Sequence, residues 1–322
     1  MGLLPMDLDI LPPSDDRVFK LILTAPDAKP VLMDLISSII QRAVVGVEVR
    51  NNEIPPNDTD EKAVRFDVNC KIDDGSQVDL EMQASRIQED KDGNHQNLKG
   101  KSVYYLCDLH SSQSSKGVKR YDHLARTYQV TFCSYTVFPD RTEYVNSFSM
   151  RHDKDNALLS DAIHVVYVEL SKLREIMKKS VSDMTDLEKW AVFFRYADEP
   201  KHRDTVNEVI ASKEALKMAG NLLMSISQDE RERAVFRSRK MYRTDYESDM
   251  ATSWDNGKRE GMEIGRREGM EIGRREGMEI ERRNSNMEFA RKLLRRNRPL
   301  EEIMEDTGLT HDEIERIRSE IS

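Results

Sequence analysis

The sequence predicts an α+β or α/β domain around a mixed sheet, followed by a helical C-terminal region. Helical and strand-like apolar spacing alternate before residue 170, helical spacing dominates after it, and a charged repeat begins near residue 256. A length of 322 residues suits about two domains. We expect four segments. A mixed domain at residues 1–170 is followed by a helical extension at 171–255, a charged glycine-containing spacer helix at 256–283 and a small helical tail at 284–322.

Composition excludes several classes of protein. No stretch approaches the roughly 20 apolar residues of a membrane span, and the N-terminus has an early acid and no basic segment typical of a secretory signal. Cys70, Cys107 and Cys133 are odd in number and widely spaced, so we expect three reduced core thiols in a cytoplasmic protein. A net charge of -9 confines any contact with nucleic acid to local basic patches.

The elements of the mixed domain are expected in the order α-α-β-β-β-α-β-β-β. Ser14 is placed to cap the first helix, and Pro30 lies in the first turn of the second. A third helix is expected at residues 97–109, between the third and fourth strands. Six segments alternate like strands, at residues 44–49, 64–72, 77–83, 129–138, 143–150 and 163–170.

The helical extension shows a clear start signal. Thr185 and Glu188 have the spacing of a capping box, and apolar residues follow at helical intervals. The two tryptophans, Trp190 and Trp254, are expected in a core or in a lid.

The most informative stretch is a predicted hairpin between the second and third strands. A three-residue loop at 73–75, with its glycine in the left-handed position, sets Ile72 opposite Ser76. Asp67 then lies opposite Glu81, one face of the hairpin is apolar in every pair, and the other is polar in every pair. A slip of one residue would mix the two faces, so the alternation specifies this register.

The Asp67 and Glu81 carboxylates are the first candidates for chemistry. Directly opposed residues have Cβ atoms roughly 4.5–5.5 Å apart. Two carboxylates this close repel each other unless a proton or a cation lies between them, and Mg²⁺ prefers oxygen ligands. A solvated acidic face on an edge hairpin explains the same spacing, so both interpretations stay open.

Four short motifs follow one another in this domain. They are Asp16-Arg17-Val18-Phe19-Lys20, Asp67-Val68, Glu81-Met82-Gln83 and Lys101-Ser102-Val103-Tyr104-Tyr105, and Gly117 and Tyr121 come after them. In this order they resemble the motifs of the recombination-promoting nuclease (Rpn) family, also described as PD-(D/E)XK nuclease family transposases. The resemblance implies a restriction-endonuclease-like PD-(D/E)XK core with a mixed central sheet at residues 1–170.

The activity that the resemblance implies is metal-dependent endonuclease cleavage of DNA, by phosphodiester hydrolysis that promotes recombination or serves a mobile element. Asp67 and Glu81 would hold Mg²⁺, with Mn²⁺ or Ca²⁺ as alternatives, and the ion would acidify a water and neutralise phosphate charge. Gln83 would position that water, and Asp16 would complete the catalytic set. Asp16 also suits the first turn of a helix without any catalytic role.

Two residues depart from the family pattern. Gln83 stands where the superfamily has a lysine, and a glutamine orients a water but supplies no positive charge. Lys62, Lys20 and Lys101 are the candidates for that charge. Lys101 itself replaces an arginine and lacks its planar fork, although Lys101 and Tyr104 remain the expected nucleic-acid contacts of this domain. These departures motivate an alternative hypothesis, a catalytically weak protein that binds DNA or a partner.

An eight-residue repeat occupies residues 257–280, with a glycine at every fourth position. Eight residues advance a helix by two turns plus about 80°, so Ile264, Ile272 and Ile280 wind around it and form no seam. A solvated spacer and a self-associating helix are both consistent with this pattern.

The tail combines a basic helix with a helix-turn-helix-like pattern. Residues 282–298 hold seven basic residues and one acid, and Arg291 and Arg295 are expected to contact the DNA backbone. Beyond Pro299 the pattern predicts a helix, a turn with Gly308 and a helix capped by Thr310. We predict a weak homodimer through the tail and no membrane contact. The apolar side chains available for burial at the dimer interface are Leu293, Leu294, Leu300, Ile303 and Met304.

Overall fold

A computed structural model describes residues 3–50, 53–54, 64–65, 67–84, 96–113 and 121–321. The sequence-predicted positions Lys62 and Gly117 lie outside these ranges. The chain forms two compact units, Met1–Phe236 and Arg237–Ser322. The segment boundaries expected at 170, 255 and 283 remain predictions.

The first unit is built on a six-stranded mixed sheet. The strands within the described residues are β1 (Val47–Val49), β2 (Glu53–Ile54), β3 (Val64–Arg65), β4 (Val68–Ile72), β5 (Gln77–Gln83), β6 (Thr127–Cys133), β7 (Val145–Arg151) and β8 (Leu158–Glu169). β2 and β3 form a small sheet of their own, and the large sheet has the order β1-β4-β5-β6-β8-β7. The β5–β6 and β6–β8 pairs are parallel and the other three pairs are antiparallel, which confirms the predicted mixed sheet.

Helices cover both faces of this sheet. They are α1 (Asp16–Thr24), α2 (Lys29–Ile40), α3 (Gln96–Ser111), α4 (Asp186–Tyr196), α5 (Arg203–Ala211) and α6 (Glu214–Gln228). The apolar side chains of β4, β5 and β6 share one hydrophobic core with α1, α2, α4, α5 and α6. α3 packs on the opposite face, against β6 and β8, where the polar side chains of β5 also point.

Aromatic rings form the centre of the main core. Phe19 lies 5.6 Å from Phe132 and 5.1 Å from Phe194 between ring centroids, and Trp190 stacks on Phe194 at 5.7 Å. The indole N–H of Trp190 donates to Asp34 Oδ1 at 2.9 Å, so the buried ring keeps its polar atom satisfied. The expected core position of Trp190 is therefore confirmed.

Three local expectations are resolved by the structure. The capping box of Thr185 and Glu188 is present at the start of α4. The cap of α1 is Asp15 and not Ser14, because the Asp15 carboxylate accepts from the backbone N–H groups of the first turn. Cys107 is exposed on α3, so the expectation of three core thiols is wrong for this residue and right for the other two.

The hairpin between β4 and β5 has the predicted register. Asn69 pairs with Asp79 and Val68 with Leu80, and Gly75 adopts a φ of 89° in the turn. A positive φ suits glycine because it has no Cβ, so the Asp-Asp-Gly loop sets the register as the sequence indicates. The ladder ends at Val68, and Asp67 lies just beyond it.

The second unit consists of the greater part of one long helix and two short ones. They are α7 (Glu230–Arg295), α8 (Leu300–Thr307) and α9 (His311–Ile321). The repeat at 257–280 is helical and exposed, and Trp254, at 70% exposure, lies on the same helix and belongs to no core. None of the described helices combines the length and the apolar composition needed to cross a bilayer.

The tail has a hydrophobic core of its own. A small core forms between the end of α7, α8 and α9 from Ala290, Leu293, Ile303, Leu309, Ile314 and Ile317. Gly308 ends α8 with a φ of 66°, as expected for the turn between the two helices. Of the five side chains expected at the homodimer interface, Leu293 and Ile303 are buried within the tail and the other three are partly buried, so the homodimer through the tail stays a prediction.

Candidate active site

Two carboxylates meet where β4 begins beside β5. The backbone N–H of Asp67 donates to Glu81 Oε1 at 3.1 Å, and the backbone N–H of Met82 donates to Asp67 Oδ2 at 3.0 Å. Each carboxylate is thus held by the backbone of the opposite strand. The sequence placed these two residues face to face, and the structure brings them together.

A lysine from α3, Lys101, lies beside the two carboxylates. Lys101 Nζ lies 2.6 Å from Glu81 Oε2 and 4.8 Å from the ring centroid of Tyr105. Burial lowers the pKa of Lys101, but the charge and the hydrogen bond of Glu81 outweigh it, so the net pKa is above its usual value. Lys101 is therefore a cation at neutral pH. Of the candidate lysines, the structure describes Lys20 and Lys101, and it places Lys101 beside Glu81.

Asp67 is held in an environment that disfavours its charge. Burial and the neighbouring charge of Glu81 raise the pKa of Asp67 to about 7, although the hydrogen bond from Met82 opposes the shift. The charge of Asp16 on α1 contributes to the same rise, so Asp16 lies within electrostatic reach of Asp67. A bound cation would relieve the repulsion between the Asp67 and Glu81 carboxylates.

A third carboxylate, Asp79, lies two residues before Glu81 on the same face of β5. It is fully buried, and neither of its oxygens has a hydrogen bond of good geometry to another described residue. Burial and then the charges of Glu81 and Asp67 raise the pKa of Asp79 well above its ordinary value, and the side chain of Gln129 only partly offsets this. Sequence reasoning assigned Asp79 no role, although its position two residues before Glu81 placed it on the polar face.

Glu169 shows how this fold treats a buried carboxylate with a structural role. Its Oε1 accepts from the N–H groups of Val137 at 2.6 Å and Phe138 at 3.0 Å. Its Oε2 accepts from Asn146 Nδ2 and from Lys172 Nζ, both at 2.8 Å. Both oxygens of Glu169 are satisfied, whereas the described residues give Asp79 no comparable set of donors. This difference separates the candidate site from ordinary buried polar structure.

The remaining predicted site residues lie in different places. Gln83 is buried at the end of β5, and Tyr104 is exposed on α3 three residues after Lys101. Arg291 and Arg295 belong to the second unit. Arg291 pairs with Glu288 at 2.7 Å and with Glu320 at 2.9 Å, so a phosphate would compete with two carboxylates for this guanidinium.

The donor set suits a hard divalent cation held by few protein ligands. Within the described ranges, no three His, Cys, Asp or Glu side chains form a group that could hold a metal ion. Mg²⁺ usually keeps several waters and binds through one or two carboxylates plus a substrate phosphate, so the Asp67 and Glu81 pair fits it.

In the metal-free protein, the free energy of unfolding should fall as the pH rises from about 4 to about 7. Asp67 has an ordinary pKa of 3.8 in the unfolded chain and a pKa of about 7 in the folded chain. Between these values the folded state binds the extra proton. The resulting stabilisation is complete below the lower pKa and is lost as the pH rises through the upper one.

Urea unfolding in EDTA at a series of pH values tests this expectation. Asp67→Asn keeps an oxygen that accepts from Met82 but cannot ionise, so its stability should fall less than that of the wild type. Asp73→Asn is the matched control, because the hydrogen bond from Arg42 lowers the pKa of Asp73 and this group stays ionised across the window. Equal falls in the wild type and in Asp67→Asn would contradict the environment described for Asp67.

The fold and the site define a class of protein. A mixed sheet between helices, with an aspartate directly before one strand and Glu-x-Gln on the next, is a PD-(D/E)XK nuclease-like arrangement. Residues 13–253 match the family described as PD-(D/E)XK nuclease family transposase, and the chain belongs to this family. No curated protein and no solved structure matches the chain.

Proposed function

We propose that this protein is a Mg²⁺-dependent endonuclease that hydrolyses phosphodiester bonds in DNA. The observation that carries the proposal is the arrangement of Asp67, Glu81 and Lys101: two carboxylates joined through backbone hydrogen bonds, and an ammonium 2.6 Å from one of them. Such a site offers ligands for a divalent cation beside a fixed positive charge. Membership of the nuclease family supports the same chemistry.

Each residue of the candidate active site has a separate role in the proposed hydrolysis. Asp67 and Glu81 would hold Mg²⁺, or Mn²⁺ or Ca²⁺ in its place, with Asp16 adding negative charge from α1. The bound ion supplies an acidified water and neutralises charge on the phosphate. Lys101 supplies the cation that Gln83 cannot, and stabilises negative charge that develops on the phosphate. Gln83 orients the attacking water with its amide.

DNA is the proposed substrate, and cleavage in the service of recombination or of a mobile element is the proposed role. Lys101 and the exposed Tyr104 lie on the same helix and provide a phosphate contact beside the carboxylates. Arg291 and Arg295 offer a further basic surface in the tail. We place the protein in the cytoplasm, where its free cysteines would stay reduced.

A second function is favoured by one observation. The ammonium of Lys101 already pairs with Glu81, and Gln83 brings no charge, so the site is partly neutralised without a metal ion. A protein of this kind would bind DNA or a partner and cleave weakly or not at all.

Cleavage of supercoiled plasmid tests the proposed function. Wild-type protein should give nicked and linear products with Mg²⁺ and none with EDTA, and calorimetric titration should detect binding of Mg²⁺, Mn²⁺ or Ca²⁺. An RNA of matched sequence serves as the competing substrate. DNA binding without metal binding or cleavage would support the second function and overturn the first.

A further inference from the structure

The basic residues near the end of α7 fall into two groups. Three of them pair with carboxylates of the same unit, and the pairs are Arg283 with Glu313, Arg291 with Glu288 and Glu320, and Arg298 with Glu302. The other four are exposed and form no ion pair with any residue that the structure describes; they are Arg282, Lys292, Arg295 and Arg296. The acids of the tail therefore neutralise some of these cations and leave the others positive.

Three of the unpaired cations lie in a narrow stripe with an exposed aromatic ring. Arg282, Phe289, Lys292 and Arg296 follow one another at intervals of seven, three and four residues, and Phe289 is 44% exposed. At about 100° per residue, these positions lie within about 80° of one another around the helix axis. Arg296 directly follows the last residue of α7, and its N–H donates to the carbonyl of Leu293 at 3.0 Å, so it continues the final turn. We call these four residues the basic stripe.

The charge of the basic stripe is not cancelled by nearby acids. Between residues 282 and 298 the sequence has one acid, Glu288, and its carboxylate is already paired. Glu279 and Glu281 precede Arg282 in the chain, and within the described part of the protein Arg282 forms no ion pair with either. The C-terminus of a helix carries only about half a negative charge, so compensation of the helix dipole needs fewer cations than are present here.

We propose that the basic stripe binds single-stranded nucleic acid, with its cations on the phosphates and a base stacked on Phe289. Arg282 and Arg296 are separated by about 21 Å along the helix axis, which is more than one phosphate group can bridge. At about 3.4 Å per nucleotide, this length corresponds to about six nucleotides of a stacked strand. A row of cations that follows the backbone, together with an aromatic ring for the bases, is the combination that binds single strands without sequence preference.

Other occupants fit the basic stripe less well. A second copy of the chain would bring the same cations to the stripe and would be repelled. A helix that lies on a membrane buries a broad apolar face, whereas Ala290 and Leu293 of this segment are buried in the core of the tail. Double-stranded DNA would attract the cations, but its bases are stacked on one another and would leave the ring of Phe289 without a partner.

Fluorescence anisotropy of a labelled oligo-dT of about 20 nucleotides, titrated with the full chain at several salt concentrations, tests the cations. The variant is Arg282→Gln/Lys292→Gln/Arg296→Gln. It should bind at least about tenfold more weakly at low salt, and the slope of log affinity against log salt should fall by about two, since each phosphate contact on a single strand contributes about 0.7. The charge-conserving variant Arg282→Lys/Lys292→Arg/Arg296→Lys should bind like the wild type.

The matched control removes the same number of charges from another part of the same helix. It is Lys258→Gln/Arg259→Gln/Arg266→Gln, in the repeat, where two glutamates accompany every two basic residues. Its affinity and its salt dependence should stay close to those of the wild type. An equal loss in this control would show general electrostatic attraction and would overturn the assignment to the basic stripe.

A substitution of the aromatic ring tests the stacked base. Phe289→Ala should weaken binding of oligo-dT by about tenfold and leave the salt dependence unchanged, because it removes a stacking contact and no charge. Met262→Ala, at a position 61% exposed on the same helix, should have no effect. Circular dichroism should show the same helix content in all variants, because each changed side chain is exposed.

Four results would overturn the proposal. They are a wild type that does not bind oligo-dT, a stripe variant with unchanged salt dependence, tighter binding of a duplex that Phe289→Ala does not weaken, and binding of phosphatidylserine vesicles in place of oligo-dT. All titrations contain EDTA, so metal-dependent cleavage does not take place. Binding by the basic stripe is therefore judged separately from the proposed nuclease activity, which uses none of its four residues.

Discussion

Asp67→Asn and Glu81→Gln should each lower the rate of Mg²⁺-dependent plasmid cleavage by about a hundredfold to a thousandfold. Each substitution removes one of the two carboxylates that would hold the ion, and loss of electrostatic stabilisation at a reacting centre costs about 10²–10³ in rate for a single group. Both amides keep an oxygen that accepts the hydrogen bond seen here, from Met82 for Asp67 and from Asp67 for Glu81. The loss should therefore appear in activity without unfolding.

Asp74→Asn is the control for these two variants. Asp74 lies in the turn of the same hairpin and pairs with Arg42 at 3.1 Å, away from the carboxylate pair. It should cleave at the wild-type rate. Titration with Ca²⁺ should show binding to the wild type and to Asp74→Asn but not to the site variants. Equal cleavage by all four proteins would show that the carboxylate pair is not the active site.

Lys101→Met should lower kcat by about a hundredfold, because it removes the cation beside the phosphate and leaves a side chain of similar length. Metal binding should persist in this variant, since the ammonium that pairs with Glu81 is gone and both carboxylates remain. Lys99→Met, on the same helix with its ammonium 5.0 Å from the ring centroid of Phe138, should cleave normally. Rates at several DNA concentrations separate kcat from KM.

A second substitution tests whether position or charge matters. Gln83→Lys in the Lys101→Met background returns a lysine to the strand and should recover part of the lost kcat. If Lys101 only contacts the DNA backbone, Lys101→Met will raise KM and reduce the salt dependence of binding while kcat stays unchanged. That result would remove Lys101 from the catalytic set and favour the second proposed function.

The hairpin that carries the carboxylates was accessible from sequence because its determinants are local. Strict alternation and an Asp-Asp-Gly turn specify the register within about 20 residues, and Asp67 and Glu81 follow from it. The capping box at Thr185 and the mixed order of helices and strands are likewise readable from short patterns. The motif order then identified the family, and the match over residues 13–253 agrees.

Which lysine lies beside Glu81 could not be predicted from the sequence in the same way. Lys20, Lys62 and Lys101 lie in different segments, and only the packing of α3 on β6 and β8 brings Lys101 to Glu81. The state of Asp79 is also a tertiary property. Its neighbours in the chain are those of any alternating strand, and its high pKa arises from complete burial and from the charges of Glu81 and Asp67.

By itself, the sequence determined the order of the main helices and strands, the hairpin register and the carboxylate pair, because periodicity and turn chemistry act between residues that are close in the chain. It did not give β2, and the strand expected at 129–138 ends at Cys133. Tertiary structure decided which cation joins that pair and which apolar side chains remain exposed. Ile303 was expected at an interface and is buried in the tail, while Trp254 was expected in a core or a lid and is exposed on α7. Burial depends on which distant segments cover a residue, and the spacing of apolar residues in one helix does not show which segments pack against it.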